Sequence, residues 1–369
     1  MKKPKVFYLA TSLNIGGTEK FLFTLAEKLS SDYDITVGVI RSGGALEKQL
    51  KDRGLTVISC AVPWQLTGYL RLHQIEIIHT FLFWAHIYGR LAAKFAGTPV
   101  VVTTQQAVDI WKKFYHTFFD KLTAPLCDFF IANSRAAAKR IETVEKVPKE
   151  KIGVVYNGID HAAFTAPQEK EVIRKEFNIP AGAFVVSCVS RLHHDKGADY
   201  LPDIANAARG CFFLVAGDGP YMGLLSERIA KLGLNDRFIL CGWRLDTPRI
   251  LKASDAFILP SREESFPQAA LEAMAMKLPV VAADVGGVRE LVEDGKDGLL
   301  IKPGDIEGYA KALERLMNDA QLRSRLSGAG YAKSLRFGED KMVKGVADIY
   351  NELLFQNAQK KAKTLNLPA

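Results

Sequence analysis

Short apolar runs, each followed by a segment with helical spacing, recur through residues 5–155 and begin again at residue 184. Segments 5–10, 35–40, 55–61, 75–79, 100–104, 129–132 and 152–155 read as strands. Between them Phe21, Leu22, Leu25 and Leu29 fall on one helical face, and 82–95 reads as an apolar helix ending near Gly97, with Pro99 beyond it. After a junction at 161–182 that carries Pro167 and Pro180, strands are predicted at 184–190, 211–216, 238–241, 256–260 and 279–283. Helices are predicted between them at 198–208, 221–232, 248–253 and 267–276. Strands apolar on both faces and alternating with helices require a parallel sheet covered on both sides. The expectation is an α/β chain with two doubly wound parallel sheets facing a central cleft. One domain is expected at 1–165, a second at 166–340, and a closing helix at 341–369 that packs back on the first. Ligands of such sheets bind at the carboxyl ends of the strands.

Composition removes several classes. With 48% hydrophobic and 24% charged residues, the chain is neither disordered nor collagen-like. No apolar run approaches the roughly 18 residues of a spanning helix. The apolar part of the N-terminal stretch, Val6 to Ala10, is shorter than the ~7–15 residues of a signal-peptide core and reads as a strand. Five scattered cysteines without a C-x-x-C pair suggest buried free thiols and a cytoplasmic setting. Residues 1–165 hold 21 basic and 14 acidic side chains, a net of +7 out of a total of +8. Solubility alone accounts for such an excess, but a one-sided field also attracts an anionic partner, whether a membrane surface or a phosphorylated substrate. Nucleic acid is not expected, because no Lys/Arg-rich run or RNA-binding motif accompanies the charge.

Three segments at predicted strand ends carry candidate chemistry. In Glu264-Ser-Phe-Pro-Gln-Ala-Ala-Leu-Glu272, Pro267 suits a first helical position, where its missing N–H is not needed. The amides of Phe266, Gln268 and Ala269 would then face outward as an anion site. Glu272, about a turn and a half on, is placed to accept the two hydroxyls of a ribose. An acidic loop followed by a solvated glutamate is the competing reading. In Ser190-Arg191-Leu192-His193-His194-Asp195-Lys196-Gly197, the Arg191 fork and Lys196 charge suit a diphosphate, although solvated loop cations look the same. The third, Gly217-Asp218-Gly219-Pro220-Tyr221-Met222-Gly223, has one residue too many for G-x-G-x-x-G, and no acid ends the following strand. A dinucleotide enzyme is therefore discounted. G-x-x-x-x-G-K-[ST] and G-x-S-x-G are both absent.

These segments occur in one order with Gly16-Gly17-Thr18-Glu19, Asn157-Gly158-Ile159-Asp160, Ala253-Ser254-Asp255-Ala256-Phe257, Pro260-Ser261 and Gly286-Gly287-Val288-Arg289-Glu290. As a set they resemble glycosyltransferase family 4, the retaining nucleotide-sugar transferases of GT-B fold and group 1 type, over nearly the whole chain. The resemblance implies two Rossmann-like domains, an N-terminal one for the acceptor and a C-terminal one for the donor. It also implies hexosyl transfer from a nucleoside diphosphate sugar, UDP favoured over GDP, to an acceptor hydroxyl. Arg191 and Lys196 would bind the diphosphate, Glu272 the ribose, and Glu264 would lie near the donor sugar. Phe266, Pro267, Gln268 and the Gly16-Gly17 turn would line phosphate and sugar, and Gly242 and Trp243 would lie near the base. No metal is implied. Asp32-Tyr33-Asp34 imitates a D-x-D pair but falls in a helix-to-strand turn.

In the first half, Thr103-Thr104-Gln105-Gln106 stands where many relatives of that family place a histidine. His79, expected at the end of strand 75–79, is the candidate facing the cleft, and a hydrogen-bonded strand-end histidine is the competing reading. Trp111, Tyr115, Phe118, Phe119 and Leu122 share one face if helical, with Lys112, Lys113 and Lys121 nearby. That pattern suits either an amphipathic core helix or a membrane interface. Together with the charge, it points to a lipid-linked or cell-envelope glycan acceptor such as a lipopolysaccharide precursor. A peripheral position on the inner face of a bacterial cytoplasmic membrane goes with that acceptor. A nucleotide-sugar epimerase or phosphorylase on the same fold, and a non-catalytic sugar-nucleotide-binding scaffold, are the alternatives.

Overall fold

The computed structural model of the chain describes residues 2–14, 16–106 and 113–364. It forms two compact units, Met1–Asn157 with Glu339–Ala369, and Gly158–Gly338. The chain leaves the first unit earlier than the 165/166 boundary expected from sequence. Ile159 bridges Gly338, its amide donating to the Phe337 carbonyl at 3.0 Å, and the His161 ring meets the Ser334 hydroxyl at 3.1 Å. These bonds tie both crossings of the chain into the second unit.

The first unit is a seven-stranded, all-parallel sheet in the order β3-β2-β1-β4-β5-β6-β7. Its strands are β1 (Lys5–Ala10), β2 (Asp34–Val39), β3 (Thr56–Ser59), β4 (Ile77–Phe81), β5 (Val100–Gln105), β6 (Phe129–Ala132) and β7 (Ile152–Val154). Successive side chains of β1 divide between the two faces, as strand geometry requires. Val6, Tyr8 and Ala10 join one core, and Phe7 and Leu9 join the other. The closing helix, Glu339–Thr364, covers the first face with Met342, Val346 and Tyr350. The second unit repeats the plan in six parallel strands, ordered β10-β9-β8-β11-β12-β13. They are β8 (Phe184–Val189), β9 (Cys211–Ala216), β10 (Phe238–Leu240), β11 (Ala256–Leu259), β12 (Val280–Ala283) and β13 (Leu299–Ile301). All five cysteines are free, and burial pushes the Cys188 and Cys211 thiols up to about 12. Among the described residues no helix is long and apolar enough to cross a membrane.

His79 is a correction to the sequence reading. β4 runs on to Phe81, which pairs with Ala10 and Thr104, so His79 lies mid-strand and is wholly buried. Its ring nitrogens meet the Tyr350 hydroxyl at 2.5 Å and the Thr104 hydroxyl at 2.6 Å, and Tyr350 also donates to Tyr8 at 3.4 Å. The residue joins the closing helix to the sheet and does not face an open site. Burial lowers its pKa from 6.5 to about 3. The unfolded chain therefore takes up a proton that the folded one refuses. The stability contribution is complete above about pH 6.5 and is lost as pH falls from there toward 3, by roughly 1–2 kcal/mol per pH unit at the steepest. His79→Gln is expected to flatten the fall in melting temperature between about pH 7 and pH 5. An unchanged slope in the variant would assign the acid sensitivity to other groups.

Candidate functional site

The donor-site candidates collect at the carboxyl ends of five adjacent strands of the second unit, β10, β9, β8, β11 and β12. The loop after β8 is held on two sides. The Leu192 amide donates to the Asp218 carbonyl at 2.9 Å, and the Tyr221 amide donates to the Leu192 carbonyl at 3.0 Å. On the other side the Arg262 and Glu263 amides both donate to the Asp195 carbonyl, at 2.8 and 3.2 Å. Gly197, at φ +60°, ends this loop, and a Cβ there would stand 2.0 Å from the Pro260 carbonyl oxygen. Only glycine allows the loops after β8 and β11 to lie this close.

That approach makes the central contact. Lys196 Nζ donates to Glu264 Oε1 at 2.8 Å, and the Ser261 hydroxyl donates to the same oxygen at 2.9 Å. Glu264 is 7% exposed and Ser261 is buried. The Glu264 carbonyl in turn accepts the Gly287 amide at 3.0 Å, which attaches the Gly286-Gly287 turn after β12. Arg191, with its side chain 72% exposed, reaches Asp195 Oδ2 at 3.1 Å, and His193 bonds the other Asp195 oxygen. Desolvation would raise the Asp195 pKa, but the His193 hydrogen bond and the charges of Lys196 and Arg191 outweigh it and hold the carboxyl below its usual range. Arg262 braces the loop from behind. It forks onto Asp199 at 2.6 and 2.7 Å and stacks over the Tyr200 ring at 4.1 Å.

The Gly217 amide donates to the Gly242 carbonyl at 2.8 Å, which sets Gly242 and the exposed Trp243 beside the loop after β9. Glu272 is buried in the Gln268–Ala275 helix. The start of that helix corrects the expected anion site. Pro267 precedes the helix, with φ −82° and ψ 78°, and is not its first residue. The Gln268 amide donates to the Phe266 carbonyl at 3.0 Å and so does not face outward, while the Gln268 side chain reaches the Gly158 carbonyl at 3.3 Å. Phe266 is buried against Phe337, with ring centroids 5.5 Å apart. Gly16 and Gly17 belong to the first unit, where they open the Gly17–Leu29 helix after β1. Asp32 and Asp34 are exposed on either side of buried Tyr33, where the turn after the Gly17–Leu29 helix runs into the first residue of β2. Among the described residues no group of three or more His, Cys, Asp or Glu side chains is arranged to hold a metal ion.

The sequence reading does not assign Ser261, Asp195 or Arg262. Ser261 has a usable signal, since it follows a strand-ending proline three residues before Glu264. Asp195 also has a local signal, since its side chain bonds Arg191 and His193 of its own loop, whereas the role of Arg262 depends on contacts between two loops and leaves no local mark. The assembled site offers two cations, each held by a carboxylate, beside a third carboxylate, Glu272, on a helix. Such a site can exchange its internal ion pairs for a diphosphate while the geometry stays fixed by backbone bonds.

A family model described as Glycosyl transferases group 1 matches residues 169–333, and one described as Glycosyltransferase Family 4 matches residues 15–163. The UDP-Gal:alpha-D-GlcNAc-diphosphoundecaprenol alpha-1,3-galactosyltransferase of Escherichia coli is 30% identical over 303 residues, covering 77% of each chain. The lipopolysaccharide core biosynthesis mannosyltransferase LpsB of Rhizobium meliloti (strain 1021) is 33% identical over 251 residues, 65% of this chain and 70% of that protein. Among solved structures, Anabaena Alr3699/HepE in complex with UDP and glucose matches with a TM-score of 0.88 at 25% identity, over 95% of this chain and 100% of that one. The same protein in complex with UDP-glucose matches at 0.86 and 26%, over 94% and 99%.

Proposed function

This chain belongs to the group 1 glycosyltransferases of family 4, and from that premise we propose that it moves a hexose from UDP, with retention of anomeric configuration, to a hydroxyl of a lipid-linked or envelope glycan precursor. It is a hexosyltransferase of GT-B fold. The observation that carries the donor half is the Lys196–Glu264–Ser261 cluster beside Arg191 at the strand ends. In this reading Arg191 and Lys196 leave their carboxylates to hold the diphosphate, whose negative charge grows as the sugar departs. Glu272 takes the ribose, and Glu264 lies against the sugar. The transfer uses no metal, because the two cations supply the positive charge. A phosphate oxygen of the leaving diphosphate takes the acceptor proton. The acceptor class follows the E. coli galactosyltransferase and LpsB, and an anionic membrane surface is the setting where such an acceptor would be met.

A thermal-shift series with UDP, GDP, ADP and dTDP tests this reading. UDP at ~100 times its dissociation constant is expected to add about 2.7 kcal/mol to stability, and GDP less. Glu272→Ala should lose most of the UDP effect, its shift being read against the variant's own ligand-free melting temperature. Equal stabilisation by all four nucleotides would remove the uridine preference. No stabilisation by any of them would favour a scaffold without a working donor site.

A further inference from the structure

The Phe114–Thr123 helix of the first unit is inverted relative to an ordinary surface helix. Phe114, Phe118 and Leu122 follow one another at four-residue spacing and are 87%, 60% and 62% exposed, with Tyr115 and Phe119 exposed on the neighbouring row. The opposite row, His116, Asp120 and Thr123, is buried. A helix on a water-facing protein normally buries its apolar stripe. (Trp111 and Lys112, expected on the same face, lie outside the described residues.)

A buried charge holds the helix this way round. Arg90, on the Phe83–Ala96 helix, lies 3.6 Å from Asp120, and both side chains are 1% exposed. Arg90 also donates to Thr123 and Thr103, each at 3.2 Å, and its guanidinium lies over the Phe130 ring. Turning the helix over would bury the aromatics, but it would leave Arg90 in the core without its counter-charge, which is strongly unfavourable. The core therefore enforces the outward aromatic row.

The charge around this face is positive in excess: on the Ile141–Glu145 segment that packs against it, the partly exposed Glu142 is paired with Lys139 at 3.0 Å and Glu145 is buried. The Pro63–Leu72, Phe83–Ala96 and Phe114–Thr123 helices carry a single carboxylate among them, the buried Asp120. The middle helix packs against the other two, and Arg71, Lys94 and Lys121 are exposed on the set. We propose that this aromatic face, with cations in excess around it, docks on a bilayer containing anionic phospholipid. The Phe114/Phe118/Leu122 row enters the boundary between headgroups and acyl chains, and the cations meet lipid phosphates. Charge complementarity selects lipid over a second copy of the chain, since a face of net positive charge repels its own image. The docking rests on the proposed lipid-linked acceptor.

The test is co-sedimentation of the full chain with vesicles of phosphatidylcholine alone and of phosphatidylcholine with phosphatidylglycerol, run beside UDP thermal shifts on the same preparations. Wild type should pellet with the anionic vesicles and much less with the neutral ones. F118S/L122S should bind at least about tenfold more weakly. Lys121→Gln should bind about fivefold more weakly, and added salt should weaken the wild type. Both variants should keep the wild-type melting temperature and UDP shift, because the changed side chains are exposed. Equal vesicle binding by wild type and F118S/L122S overturns the proposal. So does a wild-type dimer that the double variant dissolves, which would make the face a protein interface. Absent vesicle binding with an intact UDP shift overturns the docking and leaves the transferase reading standing. Vesicle binding that responds to the variants without any UDP shift supports the docking and removes the donor reading instead.

Discussion

Lys196→Ala is expected to lower kcat/KM by about 10²–10³, the loss typical when one preorganised group stabilising transition-state charge is removed. The ammonium is partly exposed and sits 2.8 Å from Glu264, so it is anchored before substrate arrives. The fold should lose far less. Glu264 keeps the Ser261 hydroxyl at 2.9 Å and the Gly287 amide on its carbonyl, and the loop stays bound through the Asp195 carbonyl. A stability cost of about 1–2 kcal/mol covers a carboxylate left with one hydrogen bond in place of two. Lys196→Arg keeps the charge on a planar, longer group and should recover only part of the rate. Turnover, UDP affinity and melting temperature measured on both variants separate the roles. A Lys196→Ala protein with near wild-type kcat/KM would remove Lys196 from the diphosphate site. One that unfolds would make the contact structural.

Asp120→Ala is expected to destabilise the first unit by about 3 kcal/mol or more, because it leaves the Arg90 charge in the core without its carboxylate. The two threonine hydroxyls and the Phe130 ring remain, but none of them is an anion. Replacing both partners with leucine should restore much of the loss, since an apolar pair of similar volume carries no desolvation penalty. Denaturant unfolding of Arg90→Leu, Asp120→Leu and the double variant gives the coupling energy directly. A coupling near zero would mean that the network holds Arg90 without Asp120. The outward orientation of the Phe114–Thr123 helix would then need a different cause.

Most of the fold is legible in the sequence because both sheets are parallel and buried on two faces. Their strands are therefore nearly continuous apolar runs that stand out from the helices between them. The errors lie at strand and helix ends. Sequence pattern stops β4 at His79, but pairing of Phe81 with Ala10 and Thr104 carries it two residues further and seals the histidine inside. Sequence pattern also starts the helix after β11 at Pro267. The backbone there is not helical, and the first amide is used within the turn.

Residue types and spacing indicated two α/β halves and the loops at strand ends, and the family resemblance pointed within those loops to Arg191, Lys196, Glu264 and Glu272. Local periodicity and turn chemistry depend on neighbours in the chain, and so they can be read along it. The tertiary structure decided which charges meet. Lys196 is paired with a carboxylate 68 positions away because Gly197 lets two loops touch. An arginine 30 positions from its aspartate turns an amphipathic helix outward. A stripe of aromatics every fourth residue states that a helix has an apolar side. Which side faces water is set by the balance of buried charge across the fold, and no stretch of sequence contains that balance.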